Sequence, residues 1–262
     1  MSFELHHGDC IEVMRSMPAE SVDAIVTSPP YAEQRKSTYG GIPEVDYPAW
    51  TVTWMAEAWR VLKPNGSVLI NIRPHIKNGQ ISDYVLRTRL ALREAGWNEC
   101  EELIWDKPGS MPVGSTARPR RSWESILWFG KHGKPYADPK AAGGSYTQIQ
   151  VGKGRGGPHL STKQAYATHE PRRARVSDVA EFSTRLNKNN NEANNHPAPY
   201  PWQLAEWVGK LACPPGGTIL DPFSGSASTG VAAIRNGWHY IGIDAIQEYV
   251  DMSRKRLEGE AA

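Results

Sequence analysis

Cysteine is scarce in this sequence: Cys10, Cys100 and Cys213 are the three in 262 residues. An odd number at wide spacing builds no disulfide framework, and no CxxC pair offers the spacing of a zinc knuckle. Long apolar runs are missing too. None approaches the roughly 18–20 consecutive residues that cross a bilayer. The opening MSFELHHGDC lacks the basic-then-apolar order of a secretory signal. No internal repeat is visible. His6, His7 and His196 do not make a metal set, so no metal is assigned. These absences exclude secreted scaffolds, membrane spans and zinc fingers. The expectation they leave is a cytoplasmic domain.

What is present fits a globular chain. Hydrophobic residues make up 39% and charged residues 22% of a 29.1 kDa chain, so composition does not dictate disorder. The length suits one large domain, with or without an insertion. The net charge of +2 hides a segregation. From Lys107 to Glu192 there are 15 Lys and Arg against 6 Asp and Glu, and the rest of the chain carries 15 against 22. Such a split is the electrostatic footprint of a polyanion partner.

Three zones follow along the chain. Residues 1–105 read as alternating strands and helices. Val22–Thr27 is a β-branched run stopped by Ser28-Pro29-Pro30, which predicts a buried strand with a hard end. Trp50, Trp54, Ala58 and Leu62 recur at helical spacing, and Lys63-Pro64-Asn65-Gly66 ends that helix. Ser67–Ile72 predicts a second strand, Tyr84–Gly96 a helix, Cys100–Trp105 and Ser125–Phe129 two more strands. Residues 131–196 are rich in Gly, Lys, Arg, Thr and Asn and read as a loop, arm or induced-fit module. From 197 onward, helices are expected at Pro201–Leu211, through Ala233 and Arg235, and at Gln247–Leu257. Strands are expected at Thr218–Asp221 and Tyr240–Asp244.

Two loops carry the chemistry. In TILDPFSGSASTG a strand ends at Asp221, and small residues open a helix whose free N–H groups face a ligand. The next strand ends in Asp244, an acid placed to accept from ribose hydroxyls. In Thr27-Ser28-Pro29-Pro30-Tyr31 the prolines fix an extended loop without N–H groups. The Ser28 hydroxyl and the Pro29 carbonyl can accept the two hydrogens of an amino group, and Tyr31 offers a ring for stacking on a flat base.

Together the two loops resemble the DNA amino-methyltransferases that use S-adenosylmethionine, in the permuted class usually called beta, where the SPPY loop precedes the glycine-rich one. Four segments carry the resemblance in order: HHGDCIEVMRSMPAESVDAIVTSPPY, AWRVLKPNGSVLINI, RRSWESILWFGK and HPAPYPWQLAEWVGKLACPPGGTILDPFSGSAST through AIRNGWHYIGIDAIQEYV. Ala227 and Ser228 stand where the family more often has Gly and Thr, and Asp244 where Glu is commoner. An alanine there would crowd the methionine end of the cofactor if the position needs positive φ.

The resemblance implies a single α/β methyltransferase domain over 1–262, with a doubly wound, mostly parallel sheet of Rossmann-like type. In it, 131–195 would serve as a partly mobile target-recognition insert. It implies that Ser28, Pro29, Pro30 and Tyr31 hold the target amine. Asp221, Phe223, Gly225 and Ser226 would surround the methionine half of the cofactor, Asp244 its ribose and Asp9 its adenine. The HPAPYP segment, His196–Pro201 with Pro197 in it, would close over the amino-acid end. Double-stranded DNA is the implied partner, and a homodimer is compatible with the class. Arg118, Arg120, Arg121, Lys153, Arg155, Arg172, Arg173 and Arg175 are read as phosphate contacts. Ser28 resembles the N4-cytosine subset, with N6-adenine as the alternative. No cysteine follows a proline, which disfavours carbon-5 chemistry. A protein-glutamine or RNA methyltransferase uses a related loop in the other order. A catalytically silent DNA-binding subunit is the reading motivated by Ala227 and Ser228.

Overall fold

The structure is a computed structural model and describes residues 2–34, 40–108, 117–143, 175–183 and 200–261. The first strand, β1 (Phe3–His7), leads to a seven-residue helix α1 (Cys10–Ser16). Asp9 caps that helix, its Oδ1 accepting from the N–H groups of Ile11 and Glu12. Then come β2 (Val22–Thr27), α2 (Tyr47–Val61), β3 (Leu62–Ile72) and the short β4 (Ile76–Lys77) and β5 (Gln80–Ile81). The middle of the chain holds α3 (Tyr84–Glu94), β6 (Asn98–Asp106), β7 (Trp123–Gly130) and β8 (Val179–Glu181). The last part holds α4 (Trp202–Ala212), β9 (Thr218–Asp221), α5 (Ser228–Asn236), β10 (His239–Asp244) and α6 (Gln247–Ala261).

Eight strands form one sheet in the order β1-β10-β9-β2-β3-β7-β6-β8. Within this sheet β7 alone of the described strands runs against its neighbours. The chain order reverses between β9 and β2, which pair in parallel through Ala24 with Ile219 and Ile25 with Leu220. This is the doubly wound α/β sheet expected from the motifs, with the strand before SPPY beside the TILD strand at the switch point.

Both faces of the sheet are covered. Ile25, Val68 and Ile70 pack with Trp54, Met55 and Leu92 on one side. Their neighbours Ala24, Val26 and Leu69 pack with Leu204, Val208, Val231 and Leu257 on the other. The alternation is the period-2 signature of a strand, and burial on both faces explains why these runs read as continuously apolar.

The structure departs from the expected boundaries in several places. Lys63–Gly66 does not separate α2 from a strand at Ser67. The strand β3 begins at Leu62, and the extra residues appear as a register shift opposite Val22 and Ala24. Gly66 is required there: a Cβ would lie 2.7 Å from the Leu62 side chain and 2.8 Å from the Asp23 carbonyl oxygen. In the polar 131–196 stretch, residues 131–143 and 175–183 are described. Val179–Glu181 adds a parallel edge strand to β6, and the Trp105 indole donates to the Phe182 carbonyl at 2.8 Å.

Candidate active site

At the carboxyl ends of β2, β9 and β10 lies a cavity of about 450 Å³, within the range of small-molecule sites. It takes in Asp9, the Ser28–Tyr31 loop, Phe223 to Ser226 and Asp244. One fold feature therefore brings together both loops singled out from the sequence.

One wall is the turn between β9 and β10. Asp244 accepts from the Gly225 N–H at 2.8 Å through Oδ2 and from the Ile246 N–H at 2.9 Å through Oδ1. Burial pushes its carboxyl above the usual range, and the two N–H donors and His7 oppose that rise. Asp221 departs from its expected place. It does not line the cavity but lies beneath it, 1% exposed. It accepts from the Thr27 hydroxyl at 2.6 Å, the Thr229 hydroxyl at 2.7 Å, the Phe223 N–H at 3.1 Å and the Tyr200 hydroxyl at 3.4 Å. Burial raises its pKa to about 6 against those four donors. It fastens β2, β9 and α5 together. Ala227 has φ +53°, the left-handed conformation that makes a side chain there a strain. The next hydroxyl, Ser228 Oγ, is buried on the cavity with no hydrogen-bond partner.

The other wall is built from side chains. The Tyr31 hydroxyl donates to Glu124 Oε2 at 2.9 Å. Asn71 Nδ2 donates to that same oxygen at 2.9 Å, and lies 3.1 Å from the Tyr31 hydroxyl and 3.5 Å from Ser28 Oγ. The Lys107 ammonium contacts Glu124 Oε1. Burial works to raise the Glu124 pKa, but the Lys107 charge and the donors Lys107, Asn71 and Tyr31 outweigh it, so the carboxyl is held below the usual range. Burial, then the Glu124 charge, pushes the Tyr31 phenol far up, so it remains a donor. Asn71 Oδ1 is buried without a hydrogen-bond partner.

Asn71, Lys107 and Glu124 were not singled out from the sequence, nor were Trp50 and Trp105, which also line the cavity, whereas Tyr200, which lines it too, belongs to the His196–Pro201 segment expected at the cofactor. The signal for Glu124 was a lone acid at the head of an apolar strand, SWESILWF. Lys107 follows a strand in the same way, in LIWDK. Of the basic residues read as phosphate contacts, Arg118 is exposed and donates to the Gly79 carbonyl. Arg120 and Arg175 are exposed, and Arg121 is half-buried near Arg73 and Glu124. Lys153, Arg155, Arg172, Arg173, His196 and Pro197 lie outside the described residues. Among the described residues, Glu33, Glu44 and His75 are grouped closely enough to ligate a metal. The Lys77 ammonium sits 2.8 Å from Glu33 and 3.3 Å from Glu44 and supplies the positive charge there.

A switch-point cleft with an acid-braced glycine turn on one wall and a proline-locked loop on the other is the ligand site of a doubly wound α/β enzyme. Residues 22–255 match the family model of the N6/N4 DNA methylases. The chain belongs to this family and is a DNA methyltransferase. Among curated relatives it is 27% identical over 262 residues to the Type II methyltransferase M.ScaI of Streptomyces caespitosus, covering 98% of this chain and 82% of that protein. The fold matches the cytosine-N4-specific PvuII DNA methyltransferase with a TM-score of 0.73 at 22% identity, over 100% of this chain and 92% of the other. It also matches M1.HpyAVI, solved in its SAM complex, with a TM-score of 0.66 at 20% identity, over 97% and 98%. No helix among the described residues is long and apolar enough to cross a membrane.

Proposed function

We propose that this chain transfers the methyl group of S-adenosylmethionine to N4 of a cytosine flipped out of double-stranded DNA, with N6 of adenine as the alternative product. The observation that carries this reading is the single cavity shared by Ser28, Asn71 and Asp244.

The residues suit the cofactor. Asp244 presents carboxylate oxygens whose remaining lone pairs accept ribose hydroxyls, and the unpartnered Ser228 hydroxyl lies on the same wall. Phe223, Gly225 and Ser226 line the cavity beside them, and Asp9 follows Gly8, whose N–H donates to the Asp244 carbonyl at 3.0 Å. When bound, the cofactor supplies an electrophilic sulfonium methyl. The protein supplies the nucleophile's geometry. An exocyclic amine is a poor nucleophile because its lone pair is delocalised into the ring. Ser28 Oγ and the Pro29 carbonyl are acceptors that draw on its two hydrogens and favour a tetrahedral nitrogen. Pro30 keeps the loop extended, and Tyr31, tied to Glu124, holds a fixed ring for the base to stack on. Alignment of the two reactants in one cavity supplies much of the rate.

The Ser28 side chain supports cytosine over adenine. The 131–195 stretch is the target-recognition segment of a single domain, and its basic residues, with Arg118, Arg120 and Arg121, contact phosphates. The protein works in the cytoplasm, and a homodimer is compatible with it. The silent-subunit reading draws on Ala227, whose φ of +53° puts a methyl group at the cofactor turn.

The test is incubation of purified protein with unmethylated plasmid and S-adenosylmethionine, digestion to nucleosides and mass analysis. N4-methylcytosine is the expected product. N6-methyladenine would keep the chemistry and overturn the base. Bound DNA with no methylated nucleoside would favour the silent subunit.

A further inference from the structure

Two cations, Arg73 and Lys107, meet at the Glu124 carboxylate on the far side of the catalytic loop from the cofactor turn, and Arg121 stands near them. Arg73 follows the end of β3, Lys107 follows the end of β6, and Arg121 stands two residues before β7. Because β7 is antiparallel, its beginning lies at the same edge of the sheet as the ends of β3 and β6. Glu124 takes the Lys107 ammonium on Oε1, and Arg73 Nη1 lies 3.9 Å from the same oxygen. Arg121 is close enough to feel Arg73 as a like charge and Glu124 as an opposite one. Against these three cations Glu124 is one carboxylate, so the group carries an excess of two positive charges.

That excess is sheltered. The side chains of Arg73 and Lys107 are 19% and 10% exposed. Burial lowers the pKa of both Lys107 and Arg121, as it does for cations short of counter-charge. Like charges held together out of water are unfavourable until an anion joins them. Lys107 also lines the cavity, its ammonium 4.9 Å from the centre of the Trp105 ring.

The strand order says which anion. Across the sheet the sequence is β10, β9, β2, β3, β7, β6. Ser28, at the end of β2, therefore separates the cluster from Asp244 and Gly225. An anion on the cluster lies on the substrate's side of the catalytic loop.

We propose that Arg73, Lys107 and Arg121 form a phosphate subsite that holds the backbone phosphate adjoining the base that enters the cavity. The proposal rests on the DNA reading above and deepens it. A nucleotide rotated out of a duplex carries its own phosphates with it. Arginine forks and an ammonium gathered at one edge of the sheet, with Lys107 on the cavity itself, suit a tetrahedral anion. Held there, the phosphate fixes how far the base reaches toward Ser28.

The test uses the full chain with S-adenosylmethionine bound and follows tryptophan fluorescence, since Trp50 and Trp105 line the cavity. The probes are deoxycytidine, its 5′- and 3′-monophosphates, the corresponding deoxyadenosine set and inorganic phosphate. One monophosphate is expected to bind at least tenfold tighter than its nucleoside and tighter than inorganic phosphate. In the Arg73→Gln/Arg121→Gln variant that preference should shrink to within twofold, with the cofactor's affinity unchanged. Arg121→Lys, which keeps the charge, should retain most of it. On plasmid DNA the double variant should lower the slope of log affinity against log salt by about one. A preference that survives the double variant overturns the subsite. So does a fall in cofactor affinity alongside it, which would place the cofactor's own carboxylate there. Inorganic phosphate binding as tightly as the nucleotide would also overturn it. The methylation assay separates the two readings: a protein that methylates plasmid without an arginine-dependent preference loses only the subsite. One with the preference but no methylation loses only the methyltransferase reading.

Discussion

The wall of the cleft that carries Asp244 is assembled from 24 consecutive residues, Asp221 to Asp244, while the facing wall collects Ser28, Asn71, Lys107 and Glu124 from four separate strand ends. In the first, two carboxylates gather the N–H groups of Phe223, Gly225 and Ile246, and Asp221 adds the hydroxyls of Thr27, Thr229 and Tyr200. The second is closed by side chains alone, with Glu124 as the hub for Tyr31, Asn71 and Lys107. A wall made of neighbouring residues is local. A wall made of distant side chains depends on the whole sheet keeping its register.

The largest expected effect falls on the side-chain wall. Glu124→Leu strands the Lys107 ammonium, 10% exposed, and should cost roughly 3–5 kcal/mol in urea unfolding. Cofactor affinity in the fraction that stays folded should change little; an equal loss there would merge the two walls. Next comes pH. The Asp221 pKa is raised from 3.8 to about 6, so the folded chain takes up its proton before the unfolded chain does. The resulting stability is fully present below pH 4 and is lost as pH rises through about 6. It amounts to about 3 kcal/mol at most. Melts of wild type and Asp221→Asn from pH 4 to 7 should diverge over that window.

Asp244→Ala leaves the Gly225 and Ile246 N–H groups without their acceptor. Calorimetry should show S-adenosylmethionine binding roughly 10–100-fold more weakly, with duplex affinity held within threefold. The smallest effect is expected from Ala227→Gly. Releasing a left-handed alanine, offset by the greater freedom of glycine in the unfolded chain, should stabilise by about 0.5 kcal/mol in a thermal melt. A gain in cofactor affinity with it would mark Ala227 as the residue that weakens this wall.

The same contrast governs what could be read from the sequence. Thr218–Asp221 was expected with its observed bounds, because a short β-branched run meets a small-residue turn at once. Asp244 followed from it, since one crossover fixes the spacing to the next strand end. Val22–Thr27 is buried at every position but needs no alternation to be found, because two prolines end it. The polar edge strand Phe3–His7 and the three-residue Val179–Glu181 have no such signature and form only because a neighbour offers hydrogen-bonding partners. Asp9 was expected on the cofactor by resemblance; it lines the cavity and caps α1 as well. Glu124 and Lys107 stand 17 residues apart in the chain, and Asn71 is 53 from Glu124. Nothing local says that they meet. Their meeting is a property of strand order, which a motif does not carry. Asp221 shows the converse limit: its position was legible, but whether it faced the cavity or the core was set by Thr27, Thr229 and Tyr200.

The lone reversed strand, β7, has a consequence for how such a protein diversifies. β2, β3, β6, β9 and β10 bring their far ends to the cleft, but β7 brings its beginning, so the hub acid Glu124 follows the 107–122 connection in the chain. That connection can lengthen, shorten or change its charges without moving Ser28 or Asp244, which hang from other strands. Its middle is thereby left free to drift under selection while Ser28 and Asp244 keep their places.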